Sequence, residues 1–421
     1  MHTARPNRAG SLGVGIVAAY SVAVLVVGIV LAAAGSGGAG PVGAGTGGAG
    51  PGGERPGHAA ADRTATTLRL GLDSCGSEWR APRGGAQHFV LTNITIAGME
   101  VYLQNASTKA VYLDVESLGS GASLPATVTL GDGRYRFVCL PADNGAVLGP
   151  VARIADSGVT TGLTPGIVPV TANDLLQPSK KYTAWITAQL PTLVSAVTAL
   201  NGQVAAGDLP AARRAWLTAH LEYERLGAAY GAFGELDAEI NGLPALGATA
   251  ATDAGLGGFH RVEAMLWSGY AASAIAPVTE RLLKSVRTLQ ATFATVRIDP
   301  LEIGLRAHEI LENAVQFELT GRADAGSGTD LATVSANIDG TRAALAPLRE
   351  ILATRYPELA KTDAWLTRSA AVVASFHRKD GSWAPVESLS RSDREWLNAT
   401  LGETVELLAP IASICDIRRA T

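Results

Sequence analysis

The sequence predicts a multidomain chain: an N-terminal transmembrane helix, a small all-β sandwich, then an all-α domain of two four-helix bundles. Three observations carry this. An apolar run from Leu12 to about Ala34 follows Arg5 and Arg8. Between about 66 and 155, apolar residues come in short alternating runs separated by glycine-rich turns. From about 172 to 421 the apolar period lengthens to 3.6 residues and stays there. The divisions are 1–34 (cytoplasmic stub and anchor), 35–65 (linker), 66–155 (β domain), 156–171 (linker) and 172–421 (helical domain).

The run after Arg8 is longer than the ~7–15 residues of a signal-peptide core and fits a spanning helix. Both arginines lie on its amino side and the next basic residue is Arg55, so the amino terminus stays cytoplasmic and everything later lies outside. Ala32-Ala33-Ala34 offers a cleavage site, which keeps a secreted form open. From Gly35 to about Gly57 the chain is nearly all Gly, Ala and Pro, a composition that buries no core and reads as a tether. The 421 residues carry a net charge of -4 with 5% aromatics and no basic run, which excludes a nucleic-acid-binding role.

Strands are expected over Thr67–Leu72, His88–Asn93, Met99–Gln104, Val111–Val115, Thr127–Leu130 and Tyr135–Cys139, with turns at Gly84-Gly85, Asn105–Ser107, Gly119–Gly121 and Gly131–Gly133. The order strand, Cys75, Trp79, Gly84-Gly85, strand, Asn93, then Gly133–Cys139 resembles a cupredoxin-like domain. A blue-copper site needs two His, a Cys and an axial Met, and Leu140–Asn144 supplies neither His nor Met after Cys139. His88 and Met99 fall within strand runs and are better explained by exposure and packing. Outside the cell Cys75 and Cys139 suit a disulfide, with a thiolate metal site as the alternative; Cys415 remains single.

Eight helices are expected, near 174–206, 209–233, 258–270, 276–297, 299–321, 329–355, 358–378 and 389–418. Asp208 caps the second with Pro210 in its first turn, Asp299-Pro300 opens the fifth, Thr329 or Asp330 the sixth, and Ser390 or Ser392 the last. The stretch Gly234–Gly242 reads as a loop.

Chemistry concentrates at Gly257-Gly258-Phe259-His260-Arg261-Val262-Glu263. His260 and Glu263 stand three apart, on one helix face, and an imidazole with a carboxylate can share a cation. A His–Glu hydrogen bond inside a packed bundle is the plainer reading of the pair alone. Trp216, His220 and Glu224 share a face of the second helix, and the loop-like stretch Gly234–Gly242 follows it, so carboxylates or imidazoles from separate elements can converge on His260 and Glu263. His308, Glu312 and Gln316 are also spaced by four, where a hydrogen-bond network between bundles is the simpler account; His220, His308 and Glu312 are secondary candidates.

His220–Arg225, Leu236-Asp237, Gly257–Glu263 with Leu266-Trp267, Leu319–Gly321, Asp330-Leu331, Ala336-Asn337 and Gly340-Thr341 together resemble the EfeO proteins of the ferrous/ferric iron-uptake system, within the imelysin-like superfamily. The resemblance covers about 66–421 and pairs a cupredoxin-like domain with a helical one. It implies a metal site on the HxxE motif, here His260 and Glu263, with Glu224 and Asp237 as further ligands. It implies iron as the metal, and a membrane iron permease and a haem peroxidase as partners. Zinc or copper also suits such ligands. The expectation is therefore an extracytoplasmic, membrane-tethered iron-binding component rather than an enzyme. A metallopeptidase is the enzyme alternative, but an H-x-x-E-H motif needs a histidine where Ala264 stands. A cell-surface polysaccharide-binding protein would use Trp216, Trp267 and Trp365, which core packing explains more simply.

Overall fold

A computed structural model describes residues 65–416. The expected transmembrane span, cleavage site and Gly-rich linker up to residue 64 lie outside the described residues, as do 417–421.

The β region comprises β1 (Thr66–Leu70), β2 (Gly85–Asn93), β3 (Met99–Asn105), β4 (Val111–Leu118), β5 (Ser123–Leu130), β6 (Gly133–Pro141), β7 (Val147–Leu148) and β8 (Ala152–Ile154). One sheet runs β1-β2-β5; the other runs β4-β3-β6, with β7 and β8 both paired to β6. β1 lies parallel to β2, whereas β5 is antiparallel to it, so the chain leaves the first strand by a crossover rather than a hairpin. Alternation puts Leu68, Leu70, Phe89 and Leu91 of one sheet in a common core with Val101, Leu103 and Phe137 of the other. Trp79, Phe89 and Phe137 meet edge to face at 5.1–5.7 Å between ring centres. Cys75 and Cys139 are joined by a disulfide across 64 residues of chain. Closing a loop of that length restricts the unfolded chain and contributes about 4 kcal/mol in the chain-entropy account. Met99 is buried in the same core, and His88 bonds Thr127 on the exposed face of its sheet at 3.1 Å.

Eleven α-helices follow among the described residues: α1 (Ala172–Ala205), α2 (Leu209–Glu224), α3 (Tyr230–Phe233), α4 (Glu235–Asn241), α5 (Gly258–Trp267), α6 (Ala272–Phe293), α7 (Glu302–Asn313), α8 (Asp330–Leu345), α9 (Arg349–Arg355), α10 (Leu359–Ala374) and α11 (Arg391–Cys415). α1 packs on α2 and α6, and α5 on α2 and α6. α7 packs on α8 and α11, and α10 on α8 and α11, while α2 against α8 joins the two four-helix groups. Among the described residues α1 is the one helix long and apolar enough to cross a membrane, but its Leu175, Ile186, Leu193 and Leu200 stripe is buried in the bundle.

Several expected helices are shorter than their apolar pattern. The helix expected over 209–233 ends at Glu224, because the chain turns beneath α8 and α7: a Cβ on Gly340 would lie 2.7 Å from Arg225 O, and one on Gly227 3.0 Å from Ile310. The expected loop Gly234–Gly242 contains α4; Gly234, at φ +61°, and Gly242 bound seven helical residues. The segment 329–355 divides at Pro347, whose missing N–H forces a short 3₁₀ turn between α8 and α9. The segment 299–321 ends as an α-helix at Asn313 and continues as a π-helical turn, Ala314–Glu318. Asp208 and Ser390 cap α2 and α11 through bonds from Ala211 N and Asp393 N; Thr329 precedes α8 without a side-chain cap bond. Asp299 instead receives Leu301 N, one turn before α7.

Candidate metal centre

α5 is positioned by its first residue. Gly258 has φ +70°, and a Cβ there would fall 2.2 Å from Ile240 O, so only glycine lets α5 start against the end of α4. That contact brings Asp237 and Asn241 of α4 beside His260. Trp216 fixes α5 from the other side by donating Nε1–H to Phe259 O at 2.9 Å.

Glu224, Asp237, His260 and Glu318 line one cavity of about 590 Å³, together with Tyr230, Asn241 and Asn337. Glu224 Oε1 lies 3.0 Å from His220 Nε2 and accepts from Asn241 Nδ2 at 2.8 Å. Asn337, with its amide nitrogen turned toward Glu224, donates to Oε2 at 3.0 Å. Burial raises the Glu224 carboxyl, but the adjacent His220 imidazole and the Asn241 bond outweigh it and hold Glu224 below its ordinary value. Tyr223 OH donates to Asp237 Oδ1 at 2.5 Å. Burial, with the Glu224 charge, leaves Asp237 raised despite that bond. Burial drives Glu318 well above the usual carboxylate range, helped by Glu224 and Asp330, and its Oε2 is buried without a hydrogen-bond partner.

His260 Nδ1 is likewise buried without a hydrogen bond, 3.6 Å from Glu263 Oε2. The His220 and His260 rings meet edge to face at 5.6 Å, with Trp216 stacked behind His220 at 4.9 Å. Glu263 does not line the cavity. Its Oε1 accepts from Ala325 N at 3.1 Å and Ser327 N at 3.0 Å, so it ties down the loop before α8. In that loop Asp324 Oδ1 accepts from Gly326 N at 2.8 Å and Gly328 N at 3.1 Å. Burial raises the Glu263 carboxyl, and the nearby His260 imidazole with bonds from Ser327 and Asp324 brings it below its ordinary value. Asp324 is raised by burial and by its bond with Glu263; Asp330 is pushed up to about 8 by burial and by Asp324, Glu263 and Glu387.

Of the residues singled out in the sequence, Glu224, Asp237 and His260 therefore face one cavity, Glu263 adjoins His260 from behind, and His220 buttresses Glu224. His308 and Glu312 line no part of it: they stand 3.8 Å apart on α7, and Gln316 donates to Glu312 at 3.1 Å. Trp216 is buried, Trp267 packs edge-on to it at 5.3 Å under Arg213, and Trp365 carries Arg368 over its ring. Glu318 and Asn241 were given no role in the sequence, and Asn337 entered only through the resemblance. The π turn displaces Glu318 from the face that α-helical spacing assigns it, a feature often found at functional sites. Among the described residues no three His, Cys, Asp or Glu are drawn together tightly enough to hold a metal ion in common. The carboxylates and imidazole stand around a cavity rather than a point, and would have to close on a cation.

A helical domain that gathers carboxylates and an imidazole at its centre agrees with the family comparison: residues 178–379 match the Peptidase_M75 family, Imelysin. The chain is 25% identical over 359 residues, 85% of its length and 93% of the relative's, to the iron uptake system component EfeO of Yersinia pseudotuberculosis serotype I (strain IP32953). It is 26% identical over 328 residues, 75% of its length and 85% of the relative's, to the protein of that name in Escherichia coli (strain K12). These matches support an EfeO-type protein built around an imelysin domain.

Proposed function

We propose that this chain is an iron-binding component of an Efe-type iron-uptake system. It is tethered outside the membrane by its N-terminal apolar run and hands iron to a permease, with a haem peroxidase as a further partner. The cation is held by Glu224, Asp237 and His260, with Glu263 fixed behind His260 and Glu318 added from the π turn. The observation that carries the reading is the shared cavity: side chains from four separate segments face it, and Glu318 Oε2 is buried without a hydrogen-bond partner. Several carboxylates that repel one another are relieved by a cation, and oxygen ligands with an imidazole suit ferrous or ferric iron. Zinc or copper would compete for the same groups. The names of the relatives support iron uptake as the setting. For peptidase chemistry the position after Glu263 is Ala264, packed near Ala250 and Leu256, so the inverted zinc motif lacks its second histidine.

The test is anoxic titration with ferrous iron, read by quenching of intrinsic tryptophan fluorescence and by bound metal after desalting. His260→Ala and Glu224→Gln should each lose most binding while keeping helical content. If both variants fold and bind iron like the parent, the site lies elsewhere.

A further inference from the structure

The cavity holding the carboxylates is not the only space that reaches His260. A second chamber, of about 340 Å³, lies against the same turn of α5. Leu243, His260 and Ala323 line both chambers, so these three side chains form the partition between them. His260 is only 5% exposed, yet it is the one ionisable group in that partition. The smaller chamber is walled by 244–251 on one side and 322–325 on the other, and its rim residues Thr249 and Arg322 are exposed, so it opens to solvent.

Both walls are held by the turn that carries His260. Arg261 donates Nη1–H to Ala250 O at 2.8 Å and also to Ala251 O. Glu263 accepts from Ala325 N and Ser327 N. The neighbours of the imidazole thus fasten one wall each. Asp324 adds a half-buried carboxyl to the smaller chamber, so a cation leaving His260 on that side meets further carboxyl oxygens. The proposed ligands Glu224, Asp237 and Glu318 face only the larger chamber, which leaves the smaller one without a part in holding the ion.

We infer that the smaller chamber is a second port of the cation site, through which the ion passes beside His260. This rests on the iron reading above. Two ports let a carrier load from one face and unload from another.

The experiment uses Ala248→Cys, a half-buried residue that lines only the smaller chamber, coupled to a bulky maleimide. Cys415 is buried and its thiol is pushed up to about 12 by burial, so it does not compete for the label. Ala238→Cys, an exposed residue lining only the larger chamber, is the mirror variant. Ferrous iron association is followed by stopped-flow fluorescence under anoxia, and release by capture with a coloured chelator. Obstructing one of two routes slows entry and exit by the same factor and leaves the dissociation constant alone. Labelling Ala248→Cys should therefore slow both rates by one common factor, about twofold for two routes of equal flux, at unchanged affinity, and labelling both positions should slow them further. Unchanged rates with stoichiometric binding would overturn the port while leaving the iron site intact. A changed affinity with an unchanged association rate would also overturn it, since the label would then be disturbing the ligands. Absence of iron binding in the unlabelled protein would remove the iron reading itself.

Discussion

Glu263 offers the sharpest test of how the motif turn works, because its two oxygens face different tasks. Oε2 stands 3.6 Å from His260 Nδ1, while Oε1 accepts from the half-buried amides of Ala325 and Ser327. Truncation in Glu263→Ala strands both amides in a site where Glu263 is 2% exposed. Each unsatisfied buried donor costs about 1–3 kcal/mol. Removing a charge that faces Asp324 and Asp330 returns part of this, so a net loss of about 2–5 kcal/mol is expected in the metal-free protein. For a domain of this size that is a fall in Tm of roughly 5–15 °C. Glu263→Gln keeps a carbonyl oxygen for the loop and should stay within about 1 kcal/mol of the parent. The assay is urea denaturation and thermal melting by circular dichroism, without metal, followed by ferrous iron titration of the folded variants. The reasoning predicts that Glu263→Ala is unstable before iron is added, whereas Glu263→Gln is stable and weakened in binding. Parent-like stability of Glu263→Ala in the absence of metal would refute the loop-fastening role.

Gly258→Ala forces a Cβ into Ile240 O at a positive φ and should cost about 2–4 kcal/mol in urea denaturation, with weaker iron binding because α4 is pushed from His260. Asp330 is an acid whose folded pKa is raised, to about 8 from 3.8, so the folded state favours its protonated form. Its contribution is fully present below about pH 4 and is lost as pH rises to about 8, at up to roughly 1.4 kcal/mol per pH unit. Urea midpoints between pH 6 and 9 should fall less steeply for Asp330→Asn than for the parent; equal slopes would count against the assignment. Mass spectrometry of native, unreduced protein treated with maleimide at pH 8 should show no labelled thiol, one after unfolding in urea, and three after reduction as well.

The sequence by itself determined the ordering of a β region before a helical one, since a period of two and a period of 3.6 bury different faces. It also determined the strand positions, the cap at Asp208, and the pairing of His260 with Glu263, all set by neighbours a few residues apart, and it narrowed the cap of α11 to Ser390 or Ser392. It brought Glu224 and Asp237 into view through resemblance, without giving the contact that joins them to His260. That contact was decided by tertiary structure: Gly258 docks α5 on Ile240, and Gly340 lets α8 pass close to Arg225. The same is true of Glu318, because a π turn shifts the helical register and no local apolar pattern records the shift. Glu263 shows the difference most clearly. Its spacing from His260 puts the two on one face of a helix, but a carboxylate turns toward whichever donors the rest of the chain presents. Here those donors are the amides of a loop more than sixty residues away. Local spacing fixes which side chains share a face, whereas only packing between distant segments fixes what that face meets.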